Sequence, residues 1–219
     1  MTVLAHISDL HLNGTLPRRV RLARALESAW SHKPHHLVVT GDNTAHGRKA
    51  HHDELRDALS GWPTPITVVA GNHDGALRGF TEELTDFGDC LLIPVDTRAT
   101  YKPLAFAALG RVGPAQMEML DRMTSQADRP VVLAMHHGPQ AHPLHVFDGL
   151  VDRHGIRSLL RNRPWVHVMC GHDHRCLDIG RVHVAPSVAH HPDPVRIYQI
   201  NGRELVPVYR SEFQGAYFT

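Results

Sequence analysis

The chain has 219 residues, enough for one large domain or two small ones, and its 42% hydrophobic and 21% charged residues are typical of a globular protein. The formal net charge is +1, with both signs mixed along the chain, which argues against a dedicated nucleic-acid-binding protein. No apolar run approaches the roughly 20 residues that cross a membrane, and the first residues lack the basic segment of a signal peptide.

The predicted elements alternate, in chain order, between short β-branched strands and amphipathic helices. Strands are predicted over residues 2–8, 36–40, 66–70, 90–95, 104–109, 131–135 and 165–170. Helices are predicted over residues 20–30, 49–59, 114–123 and 150–160, and the first has its apolar stripe at Val20, Ala23, Leu26 and Trp30. After Cys176 the pattern becomes extended, and Asn201-Gly202 predicts a type I′ hairpin. With no linker or repeat, we expect one α/β domain over residues 1–219.

Polar residues cluster directly after five of these strands. The clusters are Asp9-Leu10-His11, Gly41-Asp42-Asn43, Gly71-Asn72-His73-Asp74, His136-His137-Gly138 and Gly171-His172-Asp173-His174. The carboxyl ends of strands line one edge of an open α/β sheet, where ligands bind. We therefore expect the five clusters to converge on one site.

Each cluster alone has an ordinary explanation, because the chain contains 20 histidines and Gly-Asp after a strand is often only a turn. The combination is more specific, since D-x-H and H-x-H spacings place both side chains on one side of an extended segment. Mixed carboxylate and imidazole ligands suit manganese, iron, cobalt or zinc ions. Seven candidate ligands are too many for one tetrahedral ion but fit two ions that share a carboxylate.

The ordered motifs D-x-H, G-D, G-N-H-D, H-H and G-H-x-H resemble those of the calcineurin-like metallophosphoesterase superfamily. The resemblance runs from Asp9 to His174 and is greatest to the class III cyclic-nucleotide phosphodiesterases. The segment Ala185-Pro186-Ser187 also resembles the Pro-Ser loop of those enzymes. It implies a four-layer α/β/β/α sandwich with a dinuclear metal site at the carboxyl ends of the strands.

The resemblance also implies a role for each residue of the motifs. One ion would be held by Asp9, His11, Asp42 and His174, and the other by Asp42, Asn72, His136 and His172, with Asp42 as the bridge. His136 is preferred to His137 on the register of the family. His73 would face the scissile phosphate, to stabilise charge or protonate the leaving oxygen, and Asp74 would accept a hydrogen bond from its ring.

The implied activity is metal-dependent hydrolysis of a small phosphodiester, with a cyclic nucleotide the leading substrate, by in-line attack of a hydroxide that bridges two divalent or mixed-valence ions. A phosphomonoesterase or a nucleotide pyrophosphohydrolase on the same site is the enzymatic alternative. A non-catalytic scaffold is the alternative of another class, although every ligand position is intact. We expect no membrane association and no dedicated nucleic-acid partner, and a homodimer is one candidate assembly.

Several features lie outside the motifs. The loop Gly41-Asp42-Asn43-Thr44-Ala45 lacks the second acidic residue of the Gly-Asp-Leu-Thr-Asp loop in many relatives. His190 and His191 follow the Pro-Ser segment and are candidates for contact with the substrate, and His46, just beyond Gly41-Asp42-Asn43, is a further candidate. His6 is expected to be a hydrogen-bonded core residue. Most of the other histidines are expected to be solvated: His32, His35, His36, His46, His51, His52, His142, His145, His154, His167 and His183.

The three cysteines are expected to be reduced, because their number is odd and no C-x-x-C spacing occurs. Cys170 and Cys176 flank the last histidine cluster and are interpreted as packing residues rather than ligands. Reduced thiols, together with the absence of a signal peptide, indicate a cytoplasmic protein.

Overall fold

The computed structural model describes residues 1–77, 80, 83–98, 108–140 and 149–209. Its strands are β1 (Val3–Ile7), β2 (His36–Thr40), β3 (Ile66–Val69), β4 (Thr85–Asp86), β5 (Leu91–Val95), β6 (Val131–Met135), β7 (Val166–Cys170), β8 (Leu177–Ile179), β9 (Val182–Val184), β10 (Arg196–Asn201) and β11 (Glu204–Tyr209). Its helices are α1 (Leu16–Ser31), α2 (Lys49–Leu59), α3 (Pro114–Ser125) and α4 (Arg153–Asn162). The predicted strand over 104–109 lies largely outside the described residues.

The strands form two sheets. The first has the order β11-β10-β1-β2-β3, with β1, β2 and β3 parallel and the hairpin β10–β11 added antiparallel at one edge. The second has the order β4-β5-β6-β7-β9-β8, with a parallel centre from β5 to β9 and an antiparallel strand at each edge. Strand–helix–strand crossovers connect β1 to β2 to β3 and β6 to β7, as the alternating pattern predicts, whereas β7 is connected to its parallel neighbour β9 through the edge strand β8.

The two sheets pack face to face, with helices on both outer faces. Ala5 and Ile7 of β1 pack with Leu22 of α1 in an outer core, whereas Leu4 faces the other sheet. A second outer core joins β5, β6 and β7 to α3 and α4, and the core between the sheets contains Val38 and Val132. Each fully buried side chain of this size contributes roughly 1.5 to 3 kcal/mol. The predicted four-layer α/β/β/α sandwich is confirmed.

Two local predictions are wrong. Helix α1 packs through Leu22, Ala25 and Ala29, whereas Val20 and Trp30 of the predicted stripe are exposed, because the true stripe is rotated around the helix axis. The hairpin exists, but Asn201 pairs with Glu204, so its two-residue turn lies one position later. Gly202 takes the left-handed conformation of that turn at φ +59°.

Several histidines expected to be solvated are buried instead. His36, His167 and His183 lie on strands, and His51 and His52 lie on the inner face of α2. His36 points between the sheets because it alternates with Leu37, which packs against the helices. His6 is buried and lies 2.8 Å from the hydroxyl of Thr40, as expected of a core histidine.

Cys170 is a buried packing residue, as predicted, and Cys90 is another, whereas Cys176 is only partly buried. None of the three forms a disulfide. Among the described residues, no helix has the length and apolar character needed to cross a bilayer.

Candidate metal centre

The loops after β1, β2, β3, β6 and β7 meet at one rim of the sandwich and bring the predicted ligands together. The backbone sets this meeting: the N–H of Asp9 donates to the carbonyl of Gly41 at 3.0 Å, and the N–H of His11 donates to that of Asp42 at 2.9 Å. The N–H of Gly171 donates to the carbonyl of His136 at 3.1 Å in the other sheet. The carboxyl ends of five strands thus face one another, as the clustering of polar residues predicts.

One group of ligand atoms is formed by Asp9, His11 and His174. His174 Nε2 lies 3.2 Å from Asp9 Oδ1 and 3.4 Å from His11 Nε2, and His11 Nε2 lies 4.0 Å from Asp9 Oδ1. Ligand bonds of about 2.0 to 2.2 Å place the atoms of one coordination shell roughly 3.0 to 3.5 Å apart. Two of the three distances have this spacing, and the third, between His11 Nε2 and Asp9 Oδ1, is about 0.5 Å longer, so the side chains are close to the spacing of ligands to a single ion.

A second group is formed by Asn72, His136 and His172. His136 Nε2 lies 3.1 Å from Asn72 Oδ1 and 3.3 Å from His172 Nδ1. The Nε2 atom of His174 and the Nδ1 atom of His172 thus face different groups, although the two residues are only two positions apart. This is the arrangement that two neighbouring ions require.

Asp42 lies between the two groups. Its Oδ1 is 3.5 Å from His136 Nε2, and its Oδ2 is 3.9 Å from His11 Nε2. The N–H of His73 donates to Oδ1 at 2.9 Å and fixes the carboxylate in place. One carboxylate that offers an oxygen to each group is the bridging ligand that two ions about 3.5 to 4 Å apart need.

The backbone at these residues is strained. Apart from glycines, left-handed φ values occur among the described residues at Lys33 (48°) and at five of the candidate ligands: Asp9 (54°), His11 (45°), Asp42 (47°), His172 (70°) and His174 (55°). Such a conformation costs on the order of 1 to 3 kcal/mol for a residue with a side chain and concentrates at functional sites. The strand-end hydrogen bonds hold the ligands in this conformation.

Two glycines allow the close approach of these loops. Gly41 has φ +90°, and a Cβ atom there would lie 2.6 Å from His136 Nδ1. A Cβ atom on Gly171 would overlap Ser8 Oγ and lie 2.5 Å from Asp9 Oδ2. A side chain at either position would therefore displace a candidate ligand.

His136 and His137 both border the second group, since ligand atoms of His136, His137 and His172 lie within 4.8 Å of one another, but their rings have different partners. The ring of His137 is engaged at both nitrogens, with Nδ1 2.8 Å from the hydroxyl of Thr97 and Nε2 2.9 Å from the carbonyl of Ala108. Nε2 therefore donates to Ala108, and Nδ1 accepts from Thr97. This geometry supports the choice of His136, which the sequence could not decide from the residues themselves.

The donor atoms fit a cation. His136 Nδ1 lies 2.8 Å from the carbonyl of Thr40 and must donate to it, so Nε2 of the neutral ring has a lone pair. That lone pair faces acceptor oxygens of Asn72 and Asp42 and a ring nitrogen of His172. Electron pairs pointed at one another repel unless a cation lies between them, so the residues present suit a metal ion.

The electrostatics agree with this fit. Burial opposes protonation of His136, but the carboxylates of Asp42 and Asp9 outweigh it and raise its pKa to about 9. The site therefore favours a positive charge at Nε2, which is a proton when no ion is bound and a metal ion when one displaces that proton. Burial would raise the pKa of Asp42, yet the facing His136 ring and the N–H of His73 hold that pKa well below its usual value. Burial lowers the pKa of His11 to about 4, which keeps its ring neutral and able to bind a metal. Asp9 Oδ1 is buried without a hydrogen-bond partner.

Asp74 does not orient His73, so that prediction is wrong. His73 Nδ1 lies 3.0 Å from the carbonyl of Ala45, at the position where many relatives have the second acid. The buried carboxylate of Asp74 instead accepts from the backbone N–H groups of Gly71 (2.8 Å), Asn43 (3.1 Å) and Thr44 (2.8 Å). Asp74 thus fastens the loop after β3 to the loop after β2.

Sequence reasoning missed the residues that support the ligands. Ser8 Oγ donates to the carbonyl of Thr40 at 3.0 Å, and Ser187 Oγ donates to the carbonyl of Asp9 at 2.9 Å. Both act through backbone carbonyls, which carry no residue-specific signal. The available signals were the position of Ser8 before the D-x-H motif and of Ser187 in the Pro-Ser segment.

The two histidines after the Pro-Ser segment diverge. The ring of His190 stacks on that of His174 at 5.5 Å between centroids and lies 6.2 Å from the ring of His11. The ring of His191 is engaged with the carbonyl of Asp193 at 2.7 Å. Only His190 therefore borders the candidate metal centre.

Two-metal sites built from such side chains occur in phosphatases, nucleases and aminopeptidases, so the geometry of the rim indicates a metal-dependent hydrolase. The family model described as calcineurin-like phosphoesterase matches residues 2–176. The chain therefore belongs to the calcineurin-like phosphoesterase family and is an enzyme of the phosphoesterase class, as the motifs predict.

The chain is similar in sequence to two bacterial proteins along most of its length. One is a probable cyclic nucleotide phosphodiesterase of a Synechococcus species, 26% identical over 81% of this chain and 75% of that protein. The other is a glycerophosphodiester phosphodiesterase of Enterobacter lignolyticus, 27% identical over 78% of this chain and 70% of that protein.

The fold is similar to that of a dimetal phosphatase from Danio rerio, whose crystal structure matches with a TM-score of 0.73. The match covers 96% of this chain and 99% of that one at 15% identity, and it therefore concerns the fold.

Proposed function

We propose that this protein is a metal-dependent phosphodiesterase that hydrolyses a small phosphodiester, with a cyclic nucleotide the leading substrate. The observation that carries the proposal is the position of Asp42 between two groups of ligand atoms, with one oxygen directed to each group. Two similar bacterial proteins are named for phosphodiesters, one cyclic and one derived from glycerol, which favours a diester over a monoester.

The proposed ligands divide into two sets that share Asp42. Asp9, His11 and His174 would complete the first set, and Asn72, His136 and His172 the second, for manganese, iron, zinc or cobalt ions. When bound, two such ions supply an activated hydroxide and neutralise charge on the phosphoryl oxygens. The carbonyl of Thr40 and the N–H of His73 keep His136 and Asp42 in the required orientation.

His73 is proposed to act on the leaving oxygen. Its ring is about half exposed, with Nε2 3.8 Å from Asp42 Oδ2 and its centroid 5.1 Å from that of His11. Because Nδ1 is committed to the carbonyl of Ala45, Nε2 is directed into the cleft above the ligands. A protonated ring in this position donates from Nε2 to the oxygen that departs as the phosphorus–oxygen bond breaks.

Three further proposals are based on the amino-acid sequence alone. A single domain over residues 1–219, a cytoplasmic location and a homodimer stay predictions. The phosphomonoesterase, pyrophosphohydrolase and scaffold alternatives make different predictions in one assay series.

The test is hydrolysis of bis(p-nitrophenyl) phosphate, p-nitrophenyl phosphate and 3′,5′-cyclic AMP by protein loaded separately with manganese, cobalt, zinc or iron. We expect the diesters to be cleaved at least about tenfold more efficiently than the monoester, and chelation to abolish cleavage. A preference for the monoester would support the phosphatase alternative. Inactivity with every metal would support the scaffold and contradict the proposal.

The role of His73 is tested with leaving groups of different basicity. In His73→Ala we expect a loss of about 10²- to 10⁴-fold for cyclic AMP, whose alkoxide leaves poorly, and a much smaller loss for the nitrophenyl diester. His154→Ala, at an exposed position on α4, is the matched control and should retain both activities. Equal losses for the two substrates in His73→Ala would contradict an acid role.

A further inference from the structure

Helix α1 carries a row of arginines without acidic partners. Arg18, Arg21 and Arg24 form no ion pair with any acidic side chain in the part of the chain that the structure describes. Arg19 of the same helix, by contrast, pairs with Glu54 of α2 at 2.8 Å. Uncompensated guanidinium groups on one side of a helix attract anions.

This row begins next to the candidate metal centre. Arg18 Nη1 donates to the carbonyl of Ala189 at 2.5 Å, and the N–H of Ala189 donates to the carbonyl of Asp9 at 3.2 Å. The guanidinium of Arg18 is therefore held beside His190, whose ring stacks on His174. Arg21 lies one turn further along α1, about 5 to 6 Å away at the level of the Cβ atoms.

The grooves on the two sides of α1 have opposite character. The groove between α1 and the segment after the Pro-Ser motif has a volume of about 770 Å³ and is lined by Arg21, Arg24 and His191, with one acid, Asp193. The groove between α1 and α2 is of similar size, about 790 Å³, but its rim carries Asp53, Glu54 and Asp57 against a single arginine. An anionic substrate is attracted to the first groove and repelled by the second.

We propose that Arg18 and Arg21, with His190 between them and the metal centre, form a subsite for a second phosphate group of the substrate. This inference rests on the proposed phosphodiesterase function. The scissile diester lies at the bridging carboxylate, and the second phosphate lies over His190 against the guanidinium groups. The substrate class is then a nucleotide diester with an additional phosphate.

The chemistry of the side chains fits a phosphate. A guanidinium offers parallel N–H donors that match two phosphate oxygens, and Arg18 uses one of its terminal nitrogens for Ala189, which orients the rest of the group. Arg21 is exposed and makes no described side-chain bond, so it is free to close on the ligand.

The test compares two substrates that differ only in the second phosphate: the p-nitrophenyl ester of thymidine 5′-phosphate, with and without a 3′-phosphate. The wild-type enzyme should have a KM at least about fivefold lower for the 3′-phosphorylated ester. Arg21→Ala should lose most of this advantage and leave cleavage of the unphosphorylated ester within about twofold. Arg19→Ala, on the opposite side of α1, is the matched control and should keep the advantage.

Calorimetry of the metal-loaded protein with thymidine 5′-phosphate and thymidine 3′,5′-bisphosphate measures the subsite without turnover. The bisphosphate should bind about five- to twentyfold more tightly, and Arg21→Ala should remove the difference. Equal affinities and equal KM values in the wild-type protein would overturn the subsite while leaving the phosphodiesterase intact. Tighter bisphosphate binding without hydrolysis of either ester would instead overturn the proposed function and uphold the subsite.

Discussion

At the scale of single residues, the geometry of the candidate metal centre depends on the candidate ligands and equally on side chains that form hydrogen bonds to the backbone of the ligand loops. Asp74 is the clearest case, because its buried carboxylate accepts three backbone N–H groups and the hydroxyl of Thr44. Burial and the nearby charge of Asp42 raise the pKa of Asp74 above its usual value, and the three backbone N–H groups only partly oppose that rise. The residue therefore sets the distance between the loop that carries Asp42 and the loop that carries Asn72.

Replacement of Asp74 by Asn puts an amide where the loops need an acceptor. At least one buried N–H loses its partner, at a cost of about 1 to 3 kcal/mol, so we expect the melting temperature to fall by several degrees. Diester cleavage should fall equally for good and poor leaving groups, because the substitution displaces the candidate metal ligands and leaves His73, the proposed general acid, in place. Thermal melts and the two-substrate assay measure this.

Asp128→Asn, at an exposed carboxylate, is the control and should change neither quantity. A melting temperature like that of the wild type, with a loss confined to poor leaving groups, would restore the role that the sequence predicted for Asp74.

At the scale of elements, the sequence predicted which residues lie at the carboxyl ends of the strands, but it did not predict which side chains of a strand point into the core. Strands followed by Gly and polar residues place candidate ligands at one rim, which is why Asp9 and Asp42 could be assigned to one site from their order, whereas His136 could not be separated from His137 in this way. A strand buried on both faces has no alternation of polarity to show which side chain points inwards. His36 and His183 were therefore misread as solvated, although the first lies in a continuous apolar run.

An ion pair with a buried arginine connects strands of the two sheets. Arg196 of β10 is fully buried and donates to Asp178 Oδ2 at 2.7 Å, and His183 Nδ1 lies 2.7 Å from Asp178 Oδ1. Burial opposes ionisation of Asp178, but His183 and Arg196 lower its pKa to about 2. This carboxylate connects β8, β9 and β10 across the edges of the two sheets.

Asp178→Asn should destabilise the protein by about 2 to 4 kcal/mol, since it leaves the buried Arg196 without its counter-charge. The lower end of the range applies if water reaches the pair, because Asp178 keeps partial exposure. Urea denaturation at pH 7 measures the change. Asp53→Asn is the comparison, because Asp53 also contacts two cations, Lys49 and Arg56, but at the surface, and its effect should be clearly smaller. Similar losses in the two variants would argue against a structural role for the buried pair.

At the scale of the whole molecule, the two sheets are joined both by an apolar core and by buried histidines. Burial lowers the pKa of His36 and of His167 to about 4 in each case. Between about pH 6.5 and pH 4 the unfolded chain binds protons that these folded-state rings do not. Each of these rings therefore lowers the free energy of unfolding as the pH falls through that window.

His36→Gln isolates this contribution, because the amide keeps a partner for the hydroxyl of Thr67 and does not titrate. We expect the free energy of unfolding of the variant to fall less steeply with decreasing pH than that of the wild type. Between pH 6 and pH 5 the two slopes should differ by up to about 1.4 kcal/mol per pH unit. Urea titrations at pH 7, 6 and 5 measure the slopes. His154→Gln, at an exposed position, should follow the wild type. Parallel curves for His36→Gln and the wild type would show that His36 titrates normally in the folded state.

We propose that the rims of the two sheets bring seven side chains around a pair of ions, with Asp42 as the bridging ligand. Electron paramagnetic resonance of the protein loaded with two equivalents of Mn²⁺ tests it most directly, because two ions that share a carboxylate about 3.5 to 4 Å apart are magnetically coupled. We predict a coupled spectrum for the wild type and loss of coupling in Asp42→Asn. Uncoupled signals of isolated Mn²⁺ in the fully loaded wild-type protein would contradict the account.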